Sequence, residues 1–441
     1  MAQIKLSQLP SSVAPSSSAE VFVVDGGVSY KTSILNIIKQ VRNIDPLVHI
    51  PFKRQDDEVA LSGLQTFARA STSTYIDPLD GLVKTAAINT PRFERMADGG
   101  TGILLEGAIT NMARQSENSA FAQVTGMTVS LNLYTAPDGL TTMDGVVEDG
   151  VSTVCNLYWI PAAVTSGTIM TNSVFISKTG RRYWQIGCGA FANNFGAVLD
   201  TLTGVITSSG ANGTNIFTSA KVEDIGGAWR VSITGVLNYT VPYLLVIATD
   251  SPTWVSNTVA IIPAANTTGI WGAQIEQLPF ASSYIPTTTA AVTRAADKLS
   301  ISASGNLLPI NSAFTILADA DYKGEAGVAF PLNAVQLFEN TGNFRYFIST
   351  GNAHIAGTVA GGNNPAINTV ARLGAGSDLA TVKTFLDGVV VGSATAVNTA
   401  SASNLSLSIG SDYNGNYPMY GHIRNFRIYD QALTSVEIAA A

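Results

Sequence analysis

Paired acids are the first residues to look for, because cleaving a glycosidic bond takes two carboxylates a few ångströms apart. Three acidic clusters occur: Asp56-Asp57-Glu58, Glu148-Asp149 and Glu223-Asp224. Each sits beside turn residues or other polar groups and reads as a solvated loop, with a pair assembled by the fold left open. The three histidines, His49, His354 and His422, are far apart in sequence. No HExxH, Cys-x-x-Cys or Gly-x-Ser-x-Gly is present, and no glycine-rich phosphate cradle opens a helix after a strand. Asp412-Tyr413-Asn414-Gly415-Asn416 begins like a calcium loop. An EF-hand needs glycine sixth and glutamate twelfth, and those positions hold Tyr417 and Ile423. The expectation is therefore no catalytic residue, no metal, no cofactor, and a chain that is not an enzyme.

The aromatics point to binding. Tyr413, Tyr417 and Tyr420 interleave with Asn414 and Asn416. A tyrosine ring covers the apolar face of a sugar while an amide bonds its hydroxyls, so these five are candidate ligand residues. A soluble loop with no ligand is the plainer alternative. Trp254 follows the turn-like Asp250-Ser251-Pro252-Thr253 and is a candidate exposed stacking platform. Trp159, Trp184, Trp229 and Trp271 share strand faces with apolar residues and read as core.

The elements that must position these residues are strands. Four hundred and forty-one residues suggest two or three domains. Charged residues make up 12%, about half the usual share, while glycine, serine and threonine are abundant. Few lysines and arginines leave few tryptic sites, which suits a protein exposed outside cells. The net charge of −7 and the two short basic pairs, Lys53-Arg54 and Arg181-Arg182, argue against a nucleic-acid partner. They also argue against anionic membranes. The longest apolar run, 241–248, contains Pro242 and is too short to span a bilayer, so no membrane insertion is expected. Cys155 and Cys188 fall in phase with inward strand residues. They read as buried free thiols, with a bridge across the sandwich left open. The first residues lack an apolar segment of the secretory kind, so synthesis in a cytoplasm without ordinary export is expected.

Four stretches follow along the chain. Residues 1–45 form a small leader with a β-like run, Val21–Val24, a turn at Asp25-Gly26-Gly27, and one short helix predicted from about Thr32 to Arg42. Ile34, Ile37, Ile38 and Val41 fall on one face of that helix. Residues 46–116 are irregular, with short β-runs that would lie as arms along the next domain. Residues 117–296 alternate as a β-sandwich: Trp229, Val231 and Ile233 share one face. Residues 297–441 form a second sandwich. There Asp387-Gly388 makes a hairpin turn, and Leu405, Leu407 and Ile409 alternate with outward Ser406 and Ser408. Ile423, Phe426 and Ile428 are the apolar residues of a last strand, and Thr434-x-x-Glu437 is a capping box opening a short helix.

Several of these stretches resemble known families. The ending Tyr429-Asp430-Gln431-Ala432-Leu433-Thr434-x-x-Glu437 resembles the tail of laminin-G-like, concanavalin A-like jelly rolls, which mostly bind surfaces, often glycans. Some of those domains bind calcium through loop carboxylates and carbonyls. Residues 117–296, through Trp271–Glu276, Ser283-Tyr284-Ile285-Pro286 and Thr293-Arg294-Ala295-Ala296-Asp297, resemble carbohydrate-binding-module-like jelly rolls. Arg69-Ala70-Ser71, Thr74-Tyr75-Ile76-Asp77, Pro91-Arg92-Phe93-Glu94 and Leu104-Leu105-Glu106-Gly107, ending Thr110-Asn111, are similar to a segment that recurs in bacteriophage structural proteins. The leader, through Ser7-Gln8-Leu9-Pro10, Val23-Val24-Asp25-Gly26-Gly27 and Lys31, resembles tail-fibre attachment segments.

The expectation is an all-β chain: two jelly-roll sandwiches after a small N-terminal anchoring segment with one short helix. The resemblances imply a phage virion fibre protein, made in the host cytoplasm, that adheres to the host surface by binding glycan or protein there. Leu6, Leu9, Ile34, Ile37, Ile38 and Val41 would anchor it to other virion proteins, and a homotrimer is implied. The alternatives are a capsid-bound decoration protein with weak surface affinity and a polysaccharide-depolymerising tailspike.

Overall fold

A computed structural model describes residues 20–25, 28–33, 46, 48–52, 65–256, 260–302, 313–323, 336–340, 344–347, 352–355, 358–360, 366, 368–395, 406–412, 414 and 418–440. Among these the fold is all-β, built on two sandwiches of antiparallel strands. Of the leader, Glu20–Asp25 and Val28–Ser33 form a hairpin with Glu20 opposite Ser33. Thr32 and Ser33 thus end a strand rather than start the predicted helix. The rest of that helix, Leu6 and Leu9 lie outside the described residues, as do all six anchoring candidates.

The middle sandwich packs two six-stranded sheets. Tyr183–Ala190 and Leu244–Thr249 lie inside one; Thr168–Ser177 and Thr267–Glu276 lie inside the other. Alternation buries Trp184, Ile186 and Cys188 from the first sheet against Val231, Ile233, Ile270 and Ile275 from the second. Trp159, Trp184 and Trp271 are core residues. Trp229 is half-buried: its indole N–H donates to the Thr201 carbonyl at 2.7 Å and the Lys178 ammonium sits 4.0 Å from its ring centre. Cys155 and Cys188 are buried and free.

The second sandwich is not made from residues 297–441 alone. Gln65–Ala68 pairs with Lys298–Ile301 and closes one sheet. Val48–Ile50 and Thr101–Leu105 pair with the final strand Gly421–Tyr429, and Arg92–Arg95 pairs with Thr101–Leu105. Four runs expected to lie as arms along the middle sandwich are therefore strands of the last one. The reason is burial: Phe67, Phe93, Ile103 and Leu105 join Phe314, Ile316, Leu407 and Ile428 in one core. The hairpin Ser73–Ile76/Val83–Ala86 does face the middle sandwich, with Val83 packed beside Phe175, Trp271 and Tyr284.

Local chemistry explains details of the second sandwich. Asp387 and Gly388 both take positive φ, +50° and +82°, as a tight hairpin turn requires. Asn425 is left-handed at φ +51°, and the pairing register with Phe314–Tyr322 shifts beside it. That shift lets Ile423, Phe426 and Ile428 all reach the core despite their uneven spacing. Ser408, expected to face water, is buried at 7% exposure, as are its neighbours Leu407 and Ile409. Leu405 lies outside the described residues. The helix Ser435–Ala440 opens as predicted: the Thr434 amide donates to Glu437 at 2.7 Å, and the Glu437 amide to the Thr434 hydroxyl at 3.4 Å.

Candidate functional site

The predicted sugar-binding loop is only partly described. Tyr413, Asn416 and Tyr417 lie outside the described residues. Asn414 is exposed, and its amide donates to the Asp412 carboxylate at 2.9 Å. Tyr420 corrects the expectation of a surface platform. It is buried at 3% exposure, and its ring meets Phe280 edge-on at 5.3 Å. Trp254 is corrected too. Its ring lies against Gly196 and Gly210, where any side chain would collide with the indole, so the sheet covers part of the ring. Trp254 is half-buried rather than free on both sides.

The acidic clusters separate. Asp56-Asp57-Glu58 lies outside the described residues. Glu148 is buried in a two-point pairing with Arg181, at 2.9 and 2.5 Å, rather than solvated. Asp149 accepts the amides of Val151 and Ser152 in a turn. Glu223 and Asp224 belong to the strand Ile216–Ile225, not to a loop. Among the described residues, no group of three or more His, Cys, Asp or Glu is placed to hold a metal ion, and no helix is long and apolar enough to cross a membrane.

What the fold does assemble is a charged seam between the sandwiches. Asp297 accepts from Arg69 at 3.0 Å and from Arg92 at 2.5 Å. Glu106 accepts from Arg92 at 2.9 Å and forms an ion pair with Arg294 at 2.8 Å. All five side chains are fully buried. The Glu106 amide donates to Asp297 at 2.8 Å, and the Ser283 hydroxyl bonds Glu106 at 2.7 Å. Burial alone would raise the Glu106 carboxyl, but the Arg294 and Arg92 charges hold it well below its ordinary value. The set ties Arg92 of the second sandwich to Ser283, Arg294 and Asp297, which follow the middle one.

Beside the seam a cleft of about 680 Å³ opens between the sandwiches. Ile76–Pro78, Asp80–Leu82 and Glu94–Ala97 form one wall, Thr135–Pro137, Lys221 and Glu223–Ala228 a second, and Asp321, Lys323, Asn368 and His422 a third. His422 Nδ1 lies 2.7 Å from Asp321 Oδ1, and its Nε2 lies 3.5 Å from Glu94 Oε2. Burial would lower the imidazole pKa. The hydrogen bond and charge of Asp321, with those of Glu94, overcome this and raise it to about 9. Burial would likewise raise Glu223, but Lys221 at 2.8 Å, with Arg230, brings it down to about 2. Glu94 and Asp321 are also displaced downward against burial, chiefly by His422. In the cleft these three carboxylates are hydrogen-bond acceptors, with lysine donors beside them. Sequence reasoning missed this group. Glu94 and His422 were visible only as single residues, and the 328 positions between them hid their contact.

Residues 281–439 match a laminin-G model described as the concanavalin A-like lectin/glucanases superfamily. The C-terminal region is thus similar to a lectin- and glucanase-type sandwich. This overturns the expectation that the chain is not an enzyme: the matched superfamily takes in glucanases alongside lectins. No curated protein matches the chain. Among solved structures, domain 4 of AbnA, an extracellular GH43 arabinanase of Geobacillus stearothermophilus in complex with arabinotriose, aligns at 15% identity. It covers 36% of this chain and 80% of that one, with a TM-score of 0.26. Trypanosoma rangeli sialidase in complex with 2,3-difluorosialic acid aligns at 11% identity, over 96% of this chain and 76% of that one, with a TM-score of 0.25. Scores this low do not establish a shared arrangement.

Proposed function

We propose that this chain is a bacteriophage virion fibre protein that adheres to the host surface by binding carbohydrate. The observation that carries the carbohydrate part is the lectin/glucanase match over residues 281–439, on a sandwich whose described strands pair antiparallel. The virion part rests on the resemblance of residues 67–111 to a phage structural segment and of the leader to attachment segments. The leader supplies contacts to other virion proteins, and three copies form the fibre.

Retention of the full chain on bacterial cells tests the adhesive reading. Periodate oxidation of the cells destroys vicinal diols, so carbohydrate-dependent retention disappears after treatment; retention that survives it sinks the reading. Antibody raised against the chain is expected to decorate particles released at lysis, at the tail for a fibre and over the shell for a capsid decoration. Unlabelled particles would remove the virion role. Cleavage of the bound glycan is a second reading, favoured by Glu94, Glu223 and Asp321 meeting in one cleft. Release of new reducing ends from the retained polysaccharide distinguishes it from binding alone.

A further inference from the structure

The carbohydrate reading does not say where sugar binds, and the family match concerns one sandwich. The cleft belongs to both sandwiches and to the hairpin between them. Its volume of about 680 Å³ lies within the usual range for small-molecule sites, about 300–1,000 Å³. Its walls mix acceptors and donors with apolar patches from Ile76, Pro78, Leu82 and Pro137. Hydroxyl groups can both donate to carboxylates and accept from lysines, and C–H faces of a pyranose need apolar cover.

Charge narrows the ligand. Among the described lining residues, carboxylates outnumber cations six to four: Asp77, Asp80, Glu94, Glu223, Asp224 and Asp321 against Arg95, Lys221, Lys323 and His422. Every cation is already engaged. Lys221 holds Glu223 at 2.8 Å, Lys323 leans toward Glu106 at 3.8 Å, and His422 lies between Asp321 and Glu94. Arg95 donates to the Pro78 carbonyl at 2.7 Å. Three of the carboxylates have cations of their own just outside the lining, Asp77 and Asp80 sharing Lys84 and Asp224 holding Lys178, so the cleft carries no surplus positive charge, and an anionic sugar would have to displace an existing carboxylate from its cation. We infer that the cleft between the sandwiches is a binding site for an uncharged oligosaccharide, and that uronate- or sialate-bearing chains are excluded from it. The inference rests on the carbohydrate reading and gives it a place and a ligand class.

Gly227 supplies the test. It lines the cleft, and a Cβ there would meet no atom within 4 Å, with no positive-φ constraint on the backbone. Gly227→Trp should therefore fill the cleft without straining the turn. The full chain would be applied to an array carrying neutral gluco-, manno-, galacto- and N-acetylglucosamine oligomers beside uronate and sialate oligomers. Affinity for each retained sugar would then be measured by calorimetry. The expected result is retention of a neutral series only, weakened about tenfold or more by Gly227→Trp with the melting temperature unchanged. If Gly227→Trp unfolds, Glu223→Gln replaces it, with a loss of about tenfold expected for one hydrogen bond to a charged acceptor. Neutral binding that neither variant weakens overturns the cleft while leaving the carbohydrate reading intact. Retention of anionic sugars alone overturns the ligand class. No retention of any glycan removes both the inference and the reading beneath it.

Discussion

Arg92 and Asp297 stand 205 positions apart in the chain and meet at 2.5 Å with both side chains fully buried. Arg92 leaves the strand Arg92–Arg95 of the second sandwich. Asp297 ends the stretch that leads out of the middle one. Asp297 also holds Arg69, and Glu106 holds Arg92 again on its other side. Two carboxylates and three guanidiniums thus share one fully buried site, and removing either carboxylate leaves a buried cation without its counter-charge.

Asp297→Asn keeps the shape and removes the charge. A buried pair broken from one side typically costs about 3–5 kcal/mol, and this substitution leaves Arg69 and Arg92 both short of a partner. Urea unfolding followed by tryptophan fluorescence should show the midpoint falling accordingly. An unchanged midpoint would mean that the seam contributes nothing to holding the domains.

His422 makes stability depend on pH at the alkaline end. Its folded pKa, about 9, lies above the ordinary value of about 6.5. The stabilisation from the protonated ring between Asp321 and Glu94 is therefore complete below about pH 6.5 and is lost as pH rises through about 9, amounting to about 3 kcal/mol. Melting temperature measured from pH 6 to pH 10 should decline for the native chain. The decline should be shallower for His422→Asn, and equal slopes would exclude the histidine as its source.

The capping box at the last helix is a smaller test. Thr434→Ala removes the hydroxyl that receives the Glu437 amide, at a cost of about 1 kcal/mol. The loss should reach the sandwich, because Leu433 and Ile438 pack with Leu317, Phe385 and Tyr429. Chemical denaturation of the variant measures it directly, and no loss would show that the cap is dispensable.

Both thiols should resist chemistry until the fold opens. Burial raises Cys155 to about 11 and pushes Cys188 further from its ordinary value. A thiol reagent added to the native chain should therefore label neither, and both should react in denaturant. Rapid labelling of the native chain would contradict the packing of the middle core.

The sequence by itself settled the fold class, because period-two alternation such as that of Trp229–Ile233 is a local property of the backbone. It also settled the capping box and the Asp387-Gly388 turn, which depend on neighbours a few positions away. It did not show that Phe67, Phe93 and Leu105 complete the last core rather than lie along the middle sandwich, since strand partners are chosen by which apolar faces remain open. Nor did it show that Tyr420 turns inward to Phe280. The cleft was least legible of all. Glu94, Glu223, Asp321 and His422 each look like an ordinary polar residue in a row of letters. Only the packing of two sandwiches brings their side chains to one space and fixes their charges by mutual contact.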